Sequence, residues 1–171
     1  MIVADSSTLI LLAKLELLDK FIAAYKPCSI SPAVYEECTG KRGAFDALLI
    51  EKKVKDAMIS VEIPKERAVR ELAGSFNLGE GEAQSLALAI ERKSPVATDD
   101  GKAIRAARIF SLPFVTALSF IVSLAGWGEI QRSEAKEVIR RLEKVGRYRK
   151  EIIEEAFKEV EHGEGHDHED G

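Results

Sequence analysis

An apolar run that breaks directly into an acid and two hydroxyls, Met1-Ile2-Val3-Ala4-Asp5-Ser6-Ser7, constrains the fold of this chain more than any other stretch. Its apolar residues are continuous rather than alternating. That predicts a strand buried on both faces, the pattern of a parallel sheet covered by helices. A carboxylate ending such a strand stands where open α/β sheets bind their ligands, outside the carboxyl ends of the strands. It also stands where a helix needs a cap, and Asp and Ser are favoured there. One residue can serve both purposes, so the question is whether other acids arrive at the same place.

The rest of the chain alternates strand and helix. Leu9, Leu12, Ala13, Leu15, Leu17, Leu18, Phe21 and Ile22 keep helical spacing and predict one helix over 9–25, closed by Lys26-Pro27. Cys28-Ser29-Ile30 reads as a short strand, and Ser31-Pro32 opens a helix carrying Glu36 and Glu37. A basic loop at Lys41-Arg42-Gly43 leads to a helix over 44–53, an edge strand over 58–63 and a helix from Pro64 to about 73. A turn is expected over 74–78. Gly79-Glu80-Gly81-Glu82 starts the clearest helix, 80–92, with Ala83, Leu86, Ala87 and Ile90 on one apolar face. A strand over 95–98 stops at Asp99-Asp100-Gly101, and a helix over 102–109 and a strand over 113–116 follow. Helices are expected over 117–125 and 133–160, the second interrupted near Gly146. The sum is a three-layer α/β/α fold with a central parallel sheet over residues 1–128 and a helical extension over 129–161. The glycine, histidine and acids of 162–171 predict a disordered tail.

Composition narrows the function. Hydrophobic residues make up 46% and charged residues 32%, the balance of a soluble globular protein. No basic n-region precedes the first apolar run, and the apolar stretch 112–127 contains Pro113 and Gly126. Neither a secretory signal nor a membrane span is expected, and a cytoplasmic protein follows. That stretch fits a core or a homodimer surface. Cys28 and Cys38 have no metal or redox spacing and read as small core residues. The net charge of −4 hides an asymmetry, because residues 151–171 hold nine acids and one lysine. The remaining body is mildly basic, which suits a nucleic-acid partner without requiring one. All three histidines, His162, His166 and His168, fall in the C-terminal segment. The folded body therefore lacks a histidine for a Ser-His or Cys-His pair or for a zinc site, and any catalysis rests on carboxylates, hydroxyls, lysine or metal.

Asp99 repeats the logic of Asp5: a short apolar strand ends in it, and a helix follows. If the two strands are neighbours, the carboxylates meet, and acids so gathered stay ionised only around a cation. Oxygen-only ligands of this kind suit Mg²⁺ or Mn²⁺. Asp99-Asp100-Gly101 is equally readable as a turn and helix cap. Glu80 and Glu82 lie in a first helical turn, where acids ordinarily answer the helix dipole, although Glu82 also begins the inward-facing pattern. Glu36 and Glu37 point about 100° apart, so only one can face a cluster. Lys102, Arg105 and Arg108 recur every third residue, and Lys41-Arg42 sit in a loop near Glu37. Each set reads either as a phosphate-holding surface or as a solvated basic face.

In this order the pieces resemble the PIN-domain nucleases, and among them the VapC-type toxins and their stand-alone prokaryotic relatives. The pieces are Met1-Ile2-Val3-Ala4-Asp5-Ser6-Ser7-Thr8-Leu9-Ile10, Ser31-Pro32-Ala33-Val34-Tyr35-Glu36-Glu37, Leu78-Gly79-Glu80-Gly81-Glu82-Ala83 and Ala97-Thr98-Asp99-Asp100-Gly101-Lys102-Ala103. The resemblance implies an acidic pocket holding Mg²⁺ or Mn²⁺ on Asp5, Glu37, Glu82 and Asp99, with Asp100 as an additional member. It also implies supporting hydroxyls at Ser7 and Thr98. Val34-x-x-Glu37 spacing selects Glu37 over Glu36. Endonucleolytic hydrolysis of RNA is the implied activity, with an antitoxin as the implied partner if the toxin likeness holds. Two other classes compete. A non-catalytic nucleic-acid-binding or regulatory module would bind RNA indifferently to chelator. A phosphotransferase or receiver-like domain would be labelled at Asp5, but no second aspartate stands two residues on.

Overall fold

The computed structural model describes residues 1–40 and 43–163. Five strands, β1 (Ile2–Ala4), β2 (Cys28–Ile30), β3 (Ile59–Val61), β4 (Val96–Ala97) and β5 (Phe114–Val115), form one parallel sheet in the order β3-β2-β1-β4-β5. The chain builds outward from β1 to β3, returns to β4 on the other side of β1, and ends at β5. The reversal between β1 and β4 is a switch point, and in such sheets it opens a crevice at the carboxyl ends of the two strands. Asp5 and Asp99 follow those two ends.

Alternation along the strands divides the core between the two sheet faces. Val3 and Val96, paired across β1 and β4, join one apolar cluster with Leu72, Leu78, Leu86, Ala103 and Ala107. That layer is α5 (Glu66–Phe76), α6 (Glu80–Arg92) and α7 (Gly101–Ile109), which contact one another. Ile2 and Ala4 point the opposite way and are fully buried. A second group of helices, α1 (Ser6–Lys14), α2 (Leu18–Tyr25), α3 (Pro32–Thr39) and α4 (Phe45–Lys55), packs together, and α4 contacts β3. The result is the expected three-layer α/β/α arrangement. The two helix groups meet where α3 contacts α6.

Two boundaries depart from the sequence reading. The single helix expected over 9–25 is two, broken at Leu15-Glu16-Leu17, where Glu16 takes a left-handed φ of 63°. Leu15 and Leu17 are both buried, so the leucine pattern continues across a break that hydrophobic spacing cannot reveal. The turn expected from Gly74 begins later. Helix α5 passes through Gly74 to Phe76 and stops at Asn77, in the left-handed conformation that asparagine tolerates.

The chain divides into two compact units, 1–116 and 117–171. Among the described residues the second contains α8 (Ala117–Gly126), α9 (Arg132–Val145) and α10 (Lys150–His162), which pack pairwise. Phe120, Ile121, Leu124, Ile139, Leu142 and Ile153 form its interior. Lys136 pairs with Glu161 at 2.6 Å, and Arg132 donates to the Glu161 carbonyl, closing the end of α10 onto α9. No described helix is long and apolar enough to cross a membrane. The expected tail, His166 and His168 included, lies outside the described residues except for its first positions.

Candidate active site

The site is built at the carboxyl ends of β1 and β4. Register pairs Ala4 with Ala97, and the Asp5 amide donates to the Ala97 carbonyl at 2.8 Å, which sets Asp5 level with Thr98. Asp5 is 1% exposed, an unusual position for a carboxylate that has no cationic partner among the described residues. Its Oδ1 accepts from the Ser6 amide at 2.7 Å, so Asp5 itself caps α1. The carboxylate proposed as a metal ligand is therefore also the helix cap. Oδ2 accepts from Ser7 Oγ and Thr98 Oγ1, both at 3.0 Å. Burial pushes the Asp5 carboxyl from 3.8 up to about 6, against the pull of the Thr98, Ser7 and Ser6 donors, and the charge of Glu37 adds to the rise.

Three consecutive hydroxyls in the first turn of α1 reach three different acids. Ser6 Oγ donates to Glu37 Oε2 at 2.5 Å, Ser7 Oγ to Asp5 Oδ2, and Thr8 Oγ1 to Asp99 Oδ2 at 2.5 Å. Ser7 Oγ also accepts from the Asp99 amide at 3.0 Å, so it ties the two strand ends together. Thr98 does the same locally, accepting from the Asp100 amide at 3.3 Å. Glu37 is carried in by α3, whose N-cap Ser31 accepts from the Val34 amide. Its carboxylate rests against Gly81: a Cβ there would stand 2.6 Å from Glu37 Oε2 and 2.7 Å from Cδ. Glu36, its neighbour on α3, is exposed.

The remaining acids are held differently. Glu82 Oε2 accepts from the Gly79 amide at 2.8 Å, the N3-to-N-cap arm of a capping box at the start of α6. Asp100 Oδ1 accepts from the amides of Lys102 and Ala103, making Asp100 the cap of α7. Among the described residues no three His, Cys, Asp or Glu side chains are close enough together to hold one ion. In this arrangement Asp5, Asp99 and Glu37 are satisfied by hydroxyls and amides. The donor set nonetheless fits a small hard cation: it is made of oxygen alone, one carboxylate is buried with a raised pKa, and a neighbouring carboxylate opposes its ionisation.

The basic residues divide. Lys102 Nζ donates to the Asn77 carbonyl at 3.0 Å, and the Arg108 guanidinium lies 5.4 Å from the Phe114 ring centre. Arg105 is exposed. Lys41 and Arg42 lie outside the described residues. Cys28 and Cys38 are buried free thiols, as core residues should be. Burial pushes both up to about 12, and for Cys38 the charges of Asp5, Glu37 and Asp46 add to it.

Sequence reasoning gave Ser6 only a capping role and assigned none to Thr8 or Gly81. The hydroxyl run was visible, but its partners lie 31 and 91 residues away. Gly81 looked like ordinary helix-start composition.

Asp5 makes the metal-free protein less stable as pH rises. Its pKa is about 3.8 unfolded and about 6 folded, so its contribution is full below about 3.8 and is lost as pH rises through about 6. The loss is about 3 kcal/mol once both states are ionised. Chemical denaturation of the metal-free protein at pH 4.5 and pH 8, with Asp5→Asn as reference, captures about 2 kcal/mol of it. A wild-type-to-variant difference that is equal at both pH values would refute the assignment.

The comparisons with known proteins agree with this architecture. The chain matches the family model described as "DUF3368: PIN domain" over residues 1–162. No curated protein matches it in sequence. Among solved structures it is similar to the crystal structure of PAE2754 from Pyrobaculum aerophilum. The TM-score is 0.54 at 20% identity, over 72% of this chain and 96% of that one, which is a likeness of fold. With two acid-tipped strands side by side at the switch point and a family match spanning nearly the whole chain, this protein belongs to the PIN-domain family and carries its nuclease fold.

Proposed function

We propose that the protein is a divalent-metal-dependent endoribonuclease that hydrolyses RNA phosphodiester bonds. The observation that carries the reading is Asp5: a carboxylate buried in an oxygen-only setting, beside Asp99 at the switch point and repelled by Glu37. Asp5 and Asp99 would hold the principal Mg²⁺ or Mn²⁺, with Glu37, Glu82 and Asp100 as further oxygen donors. When bound, the ion supplies an acidified water and neutralises charge developing on the phosphate.

The chain's own residues do the rest. Ser7 and Thr98 fix Asp5 Oδ2, and the Ser6 amide fixes Oδ1, so the carboxylate cannot rotate away from the crevice. Ser7 simultaneously fixes the Asp99 backbone. Arg105 and Arg108 stand on the helix that follows Asp99 and would meet the phosphate backbone, with Lys102, Lys41 and Arg42 as further contacts. The toxin reading adds an antitoxin partner and rests on sequence resemblance alone; a homodimer would use the apolar stretch 112–127, and a cytoplasmic setting follows from the sequence pattern.

Incubation with end-labelled single-stranded RNA tests the proposal. Cleavage is expected with Mn²⁺ or Mg²⁺ and is expected to stop in EDTA. Cleavage that persists in chelator sinks the metal mechanism. RNA binding without cleavage, indifferent to chelator, would favour a non-catalytic module.

A further inference from the structure

We infer that Thr8 is a positioning residue for Asp99: its hydroxyl orients the Asp99 carboxylate toward the crevice and thereby sets the affinity of the site for its divalent ion. The inference rests on the metal-site reading above and deepens it. Thr8 lies in the first turn of α1 with no exposed surface, and its Oγ1 donates to Asp99 Oδ2 at 2.5 Å. A buried hydroxyl must place its hydrogen on a protein acceptor, because water cannot reach it. The carboxylate of Asp99 receives that hydrogen.

The direction of the bond matters. Asp99 is only half-buried, and the strand behind it ends two residues earlier, at Ala97. Its backbone is held by Ser7, through the amide, and its side chain by Thr8, through Oδ2. Adjacent residues of one helical turn thus fix the position and the rotation of the same aspartate. Both are anchored by the Asp5 cap that starts the helix. The first strand and the first helix therefore carry one of the two proposed ligands and orient the other across the switch point. Hydrogen-bonding partners that orient metal ligands typically change affinity or activity ten- to a hundredfold when removed.

Calorimetric titration of the purified full chain with Mn²⁺ tests this, using Thr8→Val, Thr8→Ala and Thr8→Ser, with the metal-free fold checked by circular dichroism. Valine keeps the shape of threonine and removes the hydroxyl; serine keeps the hydroxyl and removes the methyl. Mn²⁺ binding is expected to weaken ten- to a hundredfold in Thr8→Val and Thr8→Ala and to stay within about threefold of wild type in Thr8→Ser. If valine does not fold, alanine against serine makes the same comparison. Unchanged binding in the hydroxyl-free variants overturns the inference, as does equal weakening in Thr8→Ser, which would assign the effect to packing. A wild-type chain that binds neither Mn²⁺ nor Mg²⁺ overturns the metal-site reading itself. A wild type that binds while Thr8→Val binds equally well overturns only the role of Thr8.

Discussion

Replacing Asp5 with asparagine is expected to lower Mn²⁺-dependent RNA cleavage by at least about a thousandfold while making the metal-free protein more stable at pH 8. The two effects have one origin. Asp5 is buried, and ionising it there costs about 3 kcal/mol relative to the unfolded chain, from a carboxyl displaced from 3.8 to about 6. Asparagine removes that cost. Its carbonyl oxygen can still accept from the Ser6 amide, so the cap of α1 survives. Its amide then faces Ser7 Oγ and Thr98 Oγ1, which rotate from donors to acceptors. The fold is therefore retained and the anion is lost. Sites that are strained for function commonly gain stability when that function is removed. Steady-state cleavage and denaturation at pH 8 check the pair of outcomes. Retained cleavage, or a variant less stable than wild type at that pH, would contradict the role given to Asp5.

The second large effect is expected at Gly81. Glu37 rests against this glycine, and a methyl group there would come within 3 Å of its carboxyl group. The obstruction is the end of an exposed side chain, so Gly81→Ala should push Glu37 away rather than distort α6. Losing the seat also strains the bond from Ser6. Cleavage should fall by about a hundredfold, the scale expected when a reacting group is displaced by about an ångström. Stability should hold or rise by up to about 1 kcal/mol, because alanine is the better helix former. Combining Gly81→Ala with Glu37→Ala separates this from a general defect: if the glycine acts through Glu37, the double variant is no slower than Glu37→Ala alone. Additive losses would show that Gly81 acts elsewhere.

Much of this architecture is legible in local sequence. The helix over 80–92 has the bounds its apolar spacing predicts, and Arg92 is followed by Lys93 in the left-handed conformation that ends it. The strand ahead of Asp5 and the one ahead of Asp99 are short continuous apolar runs, a pattern forced by burial on both faces. The break at Glu16 was not legible, because the leucines flanking it are buried on either side of the kink and mimic one continuous stripe. The capping roles of Asp5, Asp100 and Glu82 follow the ordinary helix-start preferences that their neighbours suggested.

Sequence by itself thus determined which residues are acids at strand and helix ends, because strand burial and helix capping are short-range demands written within a few positions. Only the tertiary structure decided their partners. Strand order made β1 and β4 neighbours, which brought Asp5 level with Thr98 and gave Thr8 its bond to Asp99 across 91 positions. The meeting of α3 with α6 seated Glu37 on Gly81. These pairings depend on distances in space, and no local pattern of residue types encodes them.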